Sequence, residues 1–160
     1  MESMKLAVAS DFAGFSLKEA VKAHLVERGH EVVDLGQQTA DQEMVYVDAA
    51  ANLARAVQSG ACERGIVMCG TGGGVSILAN KFKGIYCVAC ESLFTAPKSA
   101  VLNHANVLAM GGRAIGPANA CEMVDAWLDA SFCGGFAPER ACFVGGLFER
   151  LQAIEAENLK

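Results

Sequence analysis

Five short apolar runs alternate along this chain with segments of helical period, and that alternation leaves few architectures open. Lys5–Ala9, Glu31–Leu35, Arg64–Met68, Gly84–Ala89 and Asn106–Met110 read as strands. Ser16–Arg28, Ala49–Gln58, Val75–Lys81, Phe94–Leu102, Pro117–Ala130 and Glu139–Glu157 read as helices. The first carries Leu17, Val21, His24 and Leu25 at helical spacing with Gly29 as its stop, and the fifth opens on proline. Strands separated by helices pair in parallel and are covered on both faces. The expected fold is α/β: a Rossmann-like three-layer αβα sandwich around a five-stranded parallel sheet. Residues 1–160 are expected to form one domain, with Met4 as the original start and residues 1–3 disordered ahead of it.

In such a sheet, ligands bind beyond the carboxyl ends of the strands. Asp11, Cys69 and Gly111–Arg113 all fall just past such ends, so they are placed to converge. The most distinctive stretch is Ile66-Val-Met-Cys-Gly-Thr-Gly-Gly-Gly-Val-Ser76, where a strand delivers Cys69 to a loop with four glycines in five residues. Glycine-rich backbone between a strand and a helix turns N–H groups outward and makes an anion cradle. A thiol in that field is favoured as thiolate, as a base or a nucleophile.

Other chemistries fit less well. Gly70-x-Gly72 begins a dinucleotide fingerprint, and Glu91 lies about twenty residues on, but Val75 takes the third glycine position. The Gly-Lys-Ser/Thr of a P-loop is absent. The net charge of −5 argues against nucleic acid as a partner. No apolar run approaches the roughly 18 residues of a membrane span, and the first residues lack the pattern of a signal peptide. Seven cysteines, an odd number mostly inside apolar runs, read as small hydrophobes in a cytoplasmic protein rather than as disulfides. Cys87-x-x-Cys90 has no second pair at ligand spacing, so no metal and no cofactor are expected.

Several single residues carry two readings. Asp11 suits a helix cap as well as a carboxylate that fixes substrate hydroxyls. Arg113 follows Gly111-Gly112, and Arg140 opens the last helix after Gly134-Gly135. Both read either as solvated surface or as a phosphate clamp on the active face. His24 and His30 read as surface residues. His104, between a helix and the fifth strand, reads as a general acid within reach of the site or as a bystander.

Ala9-Ser-Asp11-x-Ala-Gly14, Leu17-Lys18, Cys69-Gly-Thr-Gly-x-Gly74, Ser76, Ala79-Asn80-Lys81, Asn103-x-Ala-Asn-Val-Leu108 and Gly112-Arg113-x-Ile-Gly-Pro117 resemble the ribose-5-phosphate isomerase B / galactose-6-phosphate isomerase family. The match runs from about residue 5 to about 155. It implies aldose–ketose isomerisation of a phosphorylated sugar, by default ribose 5-phosphate with ribulose 5-phosphate. A homodimer or dimer-based tetramer with active sites shared between subunits follows too. By that resemblance Cys69 is the base that moves a proton between C1 and C2, and the backbone of Gly70, Thr71, Gly72, Gly73 and Gly74 holds the enediolate. Thr71 and His104 join Cys69 as catalytic candidates. Asp11, Phe12, Tyr46 and Asn103 match sugar-contacting positions, and Arg113 and Arg140 match phosphate-binding ones.

The chain also departs from that family. Phe12 stands where the family usually has histidine, and Leu102 where it has the histidine assigned to opening the cyclic sugar. Phe136 replaces an arginine, and Asp-Tyr-Pro-Asp has become Val45-Tyr46-Val47-Asp48. A leucine cannot donate a proton. Either another group such as His104 opens the ring, or the substrate has no ring. A four-carbon 4-phosphate cannot close a furanose, because the hydroxyl that would attack C1 carries the phosphate. Erythrose 4-phosphate with erythrulose 4-phosphate is therefore the alternative substrate pair. A chain that binds sugar phosphate without turnover, or serves as one subunit of a two-chain isomerase, is the non-catalytic alternative.

Overall fold

The computed structural model describes residues 2–159; Met1, part of the expected incidental start, lies outside them. In chain order the elements are β1 (Lys5–Ser10), α1 (Phe15–Glu27), β2 (Glu31–Asp34), α2 (Tyr46–Gln58), β3 (Arg64–Cys69), α3 (Gly73–Ala79), β4 (Cys87–Ala89), α4 (Thr95–Asn103), β5 (Val107–Gly111), α5 (Pro117–Asp129) and α6 (Pro138–Asn158). The five strands pair in parallel in the order β2-β1-β3-β5-β4. The direction of strand addition reverses between β1 and β3, so the crevice expected to take a ligand opens at their carboxyl ends.

Side-chain alternation along the central strands sorts the core into two layers. Leu6, Val8, Ile66, Met68, Leu108 and Met110 pack against α1, α4 and α5, with Trp127 fully buried. Ala7, Ala9, Val67, Cys69 and Ala109 face the opposite way, against α2 and α3. That second layer is built largely from alanine on both sides, Ala49, Ala50 and Ala54 included, which lets α2 lie close to the sheet. The three-layer αβα sandwich expected from the alternation is thus observed.

The boundaries differ from the sequence reading where side chains compete with backbone. The fourth strand begins at Cys87, not Gly84. Asn106 Oδ1 accepts the Tyr86 N–H and Asn106 Nδ2 donates to the Gly84 carbonyl, so a side chain takes bonds that a strand partner would make. Asn80 brackets Cys87 in the same way, donating to its carbonyl and accepting its N–H. Helix α2 starts three residues earlier than expected, at Tyr46. Val45, its N-cap, alone stays extended.

His30 is a correction: it is buried, and its Nδ1 accepts the Met4 N–H. His24 is half-buried, 2.8 Å from the Asp125 carboxylate. Cys87 and Cys90 lie in opposite core layers, so the Cys-x-x-Cys pair cannot close on one ion. Burial pushes the Cys87 thiol up to about 12. No helix among the described residues is long and apolar enough to cross a membrane.

Helix α6 is the outlier. Of its 21 residues only Val144 is buried. It is held where Glu155 accepts from the Gly84 N–H and the Tyr86 hydroxyl, and where Phe148 meets the Tyr86 ring edge-on. Phe143, Leu147, Leu151 and Ile154 stay exposed along one stripe.

Candidate active site

Strand β3 ends at Cys69, and the chain turns through Gly70-Thr71-Gly72 into α3, whose first two residues are Gly73 and Gly74. Gly72 adopts a left-handed φ of 83°, and its N–H donates to Cys69 Sγ at 3.1 Å. An N–H aimed at sulfur lone pairs strengthens as the sulfur gains charge. The Gly73 N–H donates to Thr71 Oγ1. The loop is braced from β5: the Gly112 N–H donates to the Cys69 carbonyl at 2.7 Å, and the Arg113 N–H to the Gly70 carbonyl at 3.0 Å. Cys69 is 6% exposed, a thiol at the floor of the crevice rather than at its rim.

Glycines make this convergence possible. A Cβ on Gly14 would sit 2.7 Å from the Met68 carbonyl carbon, and one on Gly112 would sit 2.8 Å from the Ala13 oxygen. The start of α1 and the β5 turn therefore press directly on the backbone around Cys69. Asp11 Oδ1 accepts the N–H groups of Ala13 and Gly14, both at 2.9 Å. These bonds close the turn ahead of α1 rather than cap the helix, whose N-cap is Gly14 with no side-chain cap bond, and they leave the other carboxylate oxygen for further contacts. The Tyr46 ring lies against Gly74, where a Cβ would come within 2.9 Å of it, and the Arg113 side chain runs over Gly70. Phe12 is 57% exposed and lines a cleft of about 580 Å³ with Ala40, Asp41, Gln42, Glu43 and Val45.

The structure thus brings Asp11, Phe12, Tyr46, Cys69, the 70–74 loop and Arg113 to one place. It does not bring Asn103, His104 or Arg140 there within one chain. Helix α4 runs back from the carboxyl edge of the sheet and leaves Asn103 and His104 at the amino edge. The expectation that His104 lies within reach of the site of its own chain is corrected. The register of β3 on β5 separates the two edges by four residues, about 13 Å. His104, in a left-handed cap conformation with φ 53°, stacks on Phe132 at 4.5 Å. Burial first, and then the Arg64 charge, lower its pKa.

Arg140 likewise is not on the active face of its own chain. Its guanidinium rests on the Phe136 ring at 4.4 Å, beside a Cys133 whose N–H donates to Val101 at the end of α4. The sequence held the signal for His104: a residue between a crossover helix and the next parallel strand sits at the amino edge. Leu102 and Asn103 instead line a groove with Val144, Leu147, Phe148 and Leu151 of α6. Sequence reasoning quoted Gly14 and Gly112 without the close approach they set, and it passed over Gln37, buried behind the 38–45 loop.

The chain is similar to known proteins. A family model described as Ribose/Galactose Isomerase matches residues 6–142. A 4-deoxy-4-sulfo-D-erythrose isomerase from Clostridium sp. (strain MSTE9) is 41% identical over 152 residues, covering 95% of this chain and 96% of the relative. A D-erythrulose-4-phosphate isomerase from Pectobacterium atrosepticum is 39% identical over 132 residues, covering 82% of this chain and 87% of the relative. The solved structure of a Clostridium thermocellum ribose-5-phosphate isomerase B superposes with a TM-score of 0.82 at 41% identity. It covers 94% of this chain and 99% of that one.

Proposed function

The chain belongs to the ribose/galactose isomerase family, and from that premise we propose that it interconverts the aldose and ketose forms of a phosphorylated sugar at Cys69. The observation that carries this reading is the Gly72 N–H held 3.1 Å from the Cys69 sulfur inside a glycine loop. The thiolate takes the proton from C2 of the open-chain aldose. The resulting enediolate places negative charge on oxygen beside the 70–74 backbone, a proton passes from O2 to O1, and the thiol returns its proton to C1. Preorganised donors of this kind are each worth about 2.7–4 kcal/mol in the transition state. Asp11 and Tyr46 contact the sugar, and Arg113 holds the phosphate.

Asn103, His104 and Arg140 act in trans. The exposed Phe143–Leu147–Leu151–Ile154 stripe and the adjoining groove support a second copy seated there. A homodimer, alone or paired into a tetramer, would carry these residues to the partner's Cys69. Seven free cysteines suit the cytoplasm.

Ribose 5-phosphate is the family's default substrate. A four-carbon 4-phosphate is favoured by a specific observation: Leu102 offers an exposed hydrocarbon where a ring-opening acid is expected. Relatives named for four-carbon substrates support that reading. A panel of phosphorylated aldoses and ketoses of four to six carbons tests it. Turnover of tetrose phosphates above pentose phosphates supports the four-carbon reading, and the reverse order removes it. No turnover by the chain purified alone would favour a binding-only or two-chain protein.

A further inference from the structure

A charged group with no solvent exposure sits behind the wall of the site. The Lys18 side chain is fully buried on α1, where its neighbours Leu17, Val21 and Leu25 are core residues. Its ammonium donates to Asp34 Oδ2 at 2.5 Å, to the Gln37 carbonyl, and lies 2.8 Å from Glu19. A buried ammonium is tolerated only with such a set of partners, so the backbone at Gln37 is held by charge.

The Gln37 side chain, itself 1% exposed, then closes the neck of the loop that follows. Its Oε1 accepts the Met44 N–H at 3.2 Å, and its Nε2 donates to the Thr39 carbonyl at 3.0 Å. Its own N–H donates to the Ser10 carbonyl at the end of β1. Met44 passes the constraint on in two directions. Its carbonyl accepts the Phe12 N–H at 3.2 Å, and one residue beyond it Val45 leads into Tyr46, whose ring lies on Gly74.

We propose that Gln37 is a positioning residue for the substrate: its buried carboxamide, on a backbone anchored by Lys18, sets Phe12 and Tyr46 on either side of the crevice. This rests on the isomerase reading above. Cys69 and its loop are held by other bonds, from Gly112 and Arg113. Loss of the Gln37 clamp therefore weakens substrate capture more than the proton transfer.

The test compares Gln37→Leu and Gln37→Glu with the unaltered protein, on whichever phosphorylated aldose that protein turns over. Gln37→Leu removes both side-chain bonds and is expected to raise KM about tenfold with kcat within twofold. Gln37→Glu keeps an acceptor for Met44 and should fall between the two. An unchanged KM in Gln37→Leu, or a fall in kcat with KM constant, overturns the proposal. If Gln37→Leu does not fold, Gln37→Glu decides alone: a raised KM supports the clamp and an unchanged one removes it. Cleavage of the folded protein after Glu43 by a glutamate-specific protease needs no substrate. It should be at least severalfold faster in either variant than in the unaltered chain, and equal rates overturn the clamp. If no sugar phosphate is turned over at all, the isomerase reading fails while this second measurement still judges Gln37.

Discussion

The Gly72 N–H donates to the sulfur of Cys69 across 3.1 Å, and it does so because Gly72 alone in the loop takes a left-handed φ, of 83°. One backbone torsion thus ties the candidate base to the candidate oxyanion loop. An L residue at 72 would meet both the positive φ and a Cβ 3.0 Å from the Met110 carbonyl carbon. The two functions are mechanically one unit.

Cys69→Ala is expected to abolish isomerisation and to leave the fold intact, since the site is floored by backbone bonds that the thiol does not make. Far-UV circular dichroism and turnover measured on the same preparation check this. Unchanged turnover removes Cys69 as the base. Alkylation of the native thiol should inactivate in proportion, and a bound sugar phosphate should slow it.

Within one chain Arg113 lies at the Gly70 turn and Arg140 away from it on Phe136, yet both are proposed for one phosphate, which makes subunit mixing informative. Cys69→Ala and Arg140→Ala chains are each expected to be nearly inactive on their own. A heterodimer of the two has one site with both residues intact. It should recover about half the activity of the unaltered dimer, while mixed chains that stay inactive would place Arg140 outside the shared site.

Gly74→Ala puts a methyl 2.9 Å from Tyr46 Cε2. The ring, 43% exposed, has room to swing outward. Stability should change little while kcat/KM falls about tenfold, from a loss of about 1.4 kcal/mol of transition-state binding. An unaltered kcat/KM would show that the ring does not touch the sugar.

Asp34 carries the pH dependence of the buried cluster. Burial alone raises its pKa, but hydrogen bonds from Lys18 and Lys22 and the Gly36 N–H outweigh that and bring it below the ordinary 3.8. A depressed carboxylate contributes stability that is present above pH 3.8 and is lost as pH falls through the folded value. Asp34→Asn should cost about 3 kcal/mol near neutrality by stripping Lys18 of its main counter-charge. The gap in denaturant midpoints between the two proteins should close below pH 3.8, and a gap independent of pH would refute the assignment.

Leu102→His restores an imidazole where the family resemblance places the ring-opening acid. It should raise kcat/KM on ribose 5-phosphate and leave four-carbon substrates unaffected. An equal effect on both would argue that ring opening is not what Leu102 changed. His104→Ala is the complementary variant: a loss confined to cyclic sugars would make His104 the substitute acid.

Much of the fold is legible in the sequence. The periods of two and 3.6 named every strand and helix, and the errors fell where side chains replaced backbone partners, as Asn106 does for Tyr86. Asp11, Cys69 and Arg113 were placed together because each closely follows a strand. The same rule applied to strand beginnings puts His104 at the amino edge, ahead of β5.

The sequence by itself determined the architecture and the thiol in its glycine loop, since both depend on residues adjacent in the chain. Periodicity and a run of glycines act locally. Only the tertiary structure decided that a lysine on an apolar helix face is buried against Asp34 and the Gln37 carbonyl. It alone set the Tyr46 ring on Gly74 and sent Cys87 and Cys90 into opposite layers. Those facts depend on how far apart segments pack, and desolvation and close contact have no value until that distance is set.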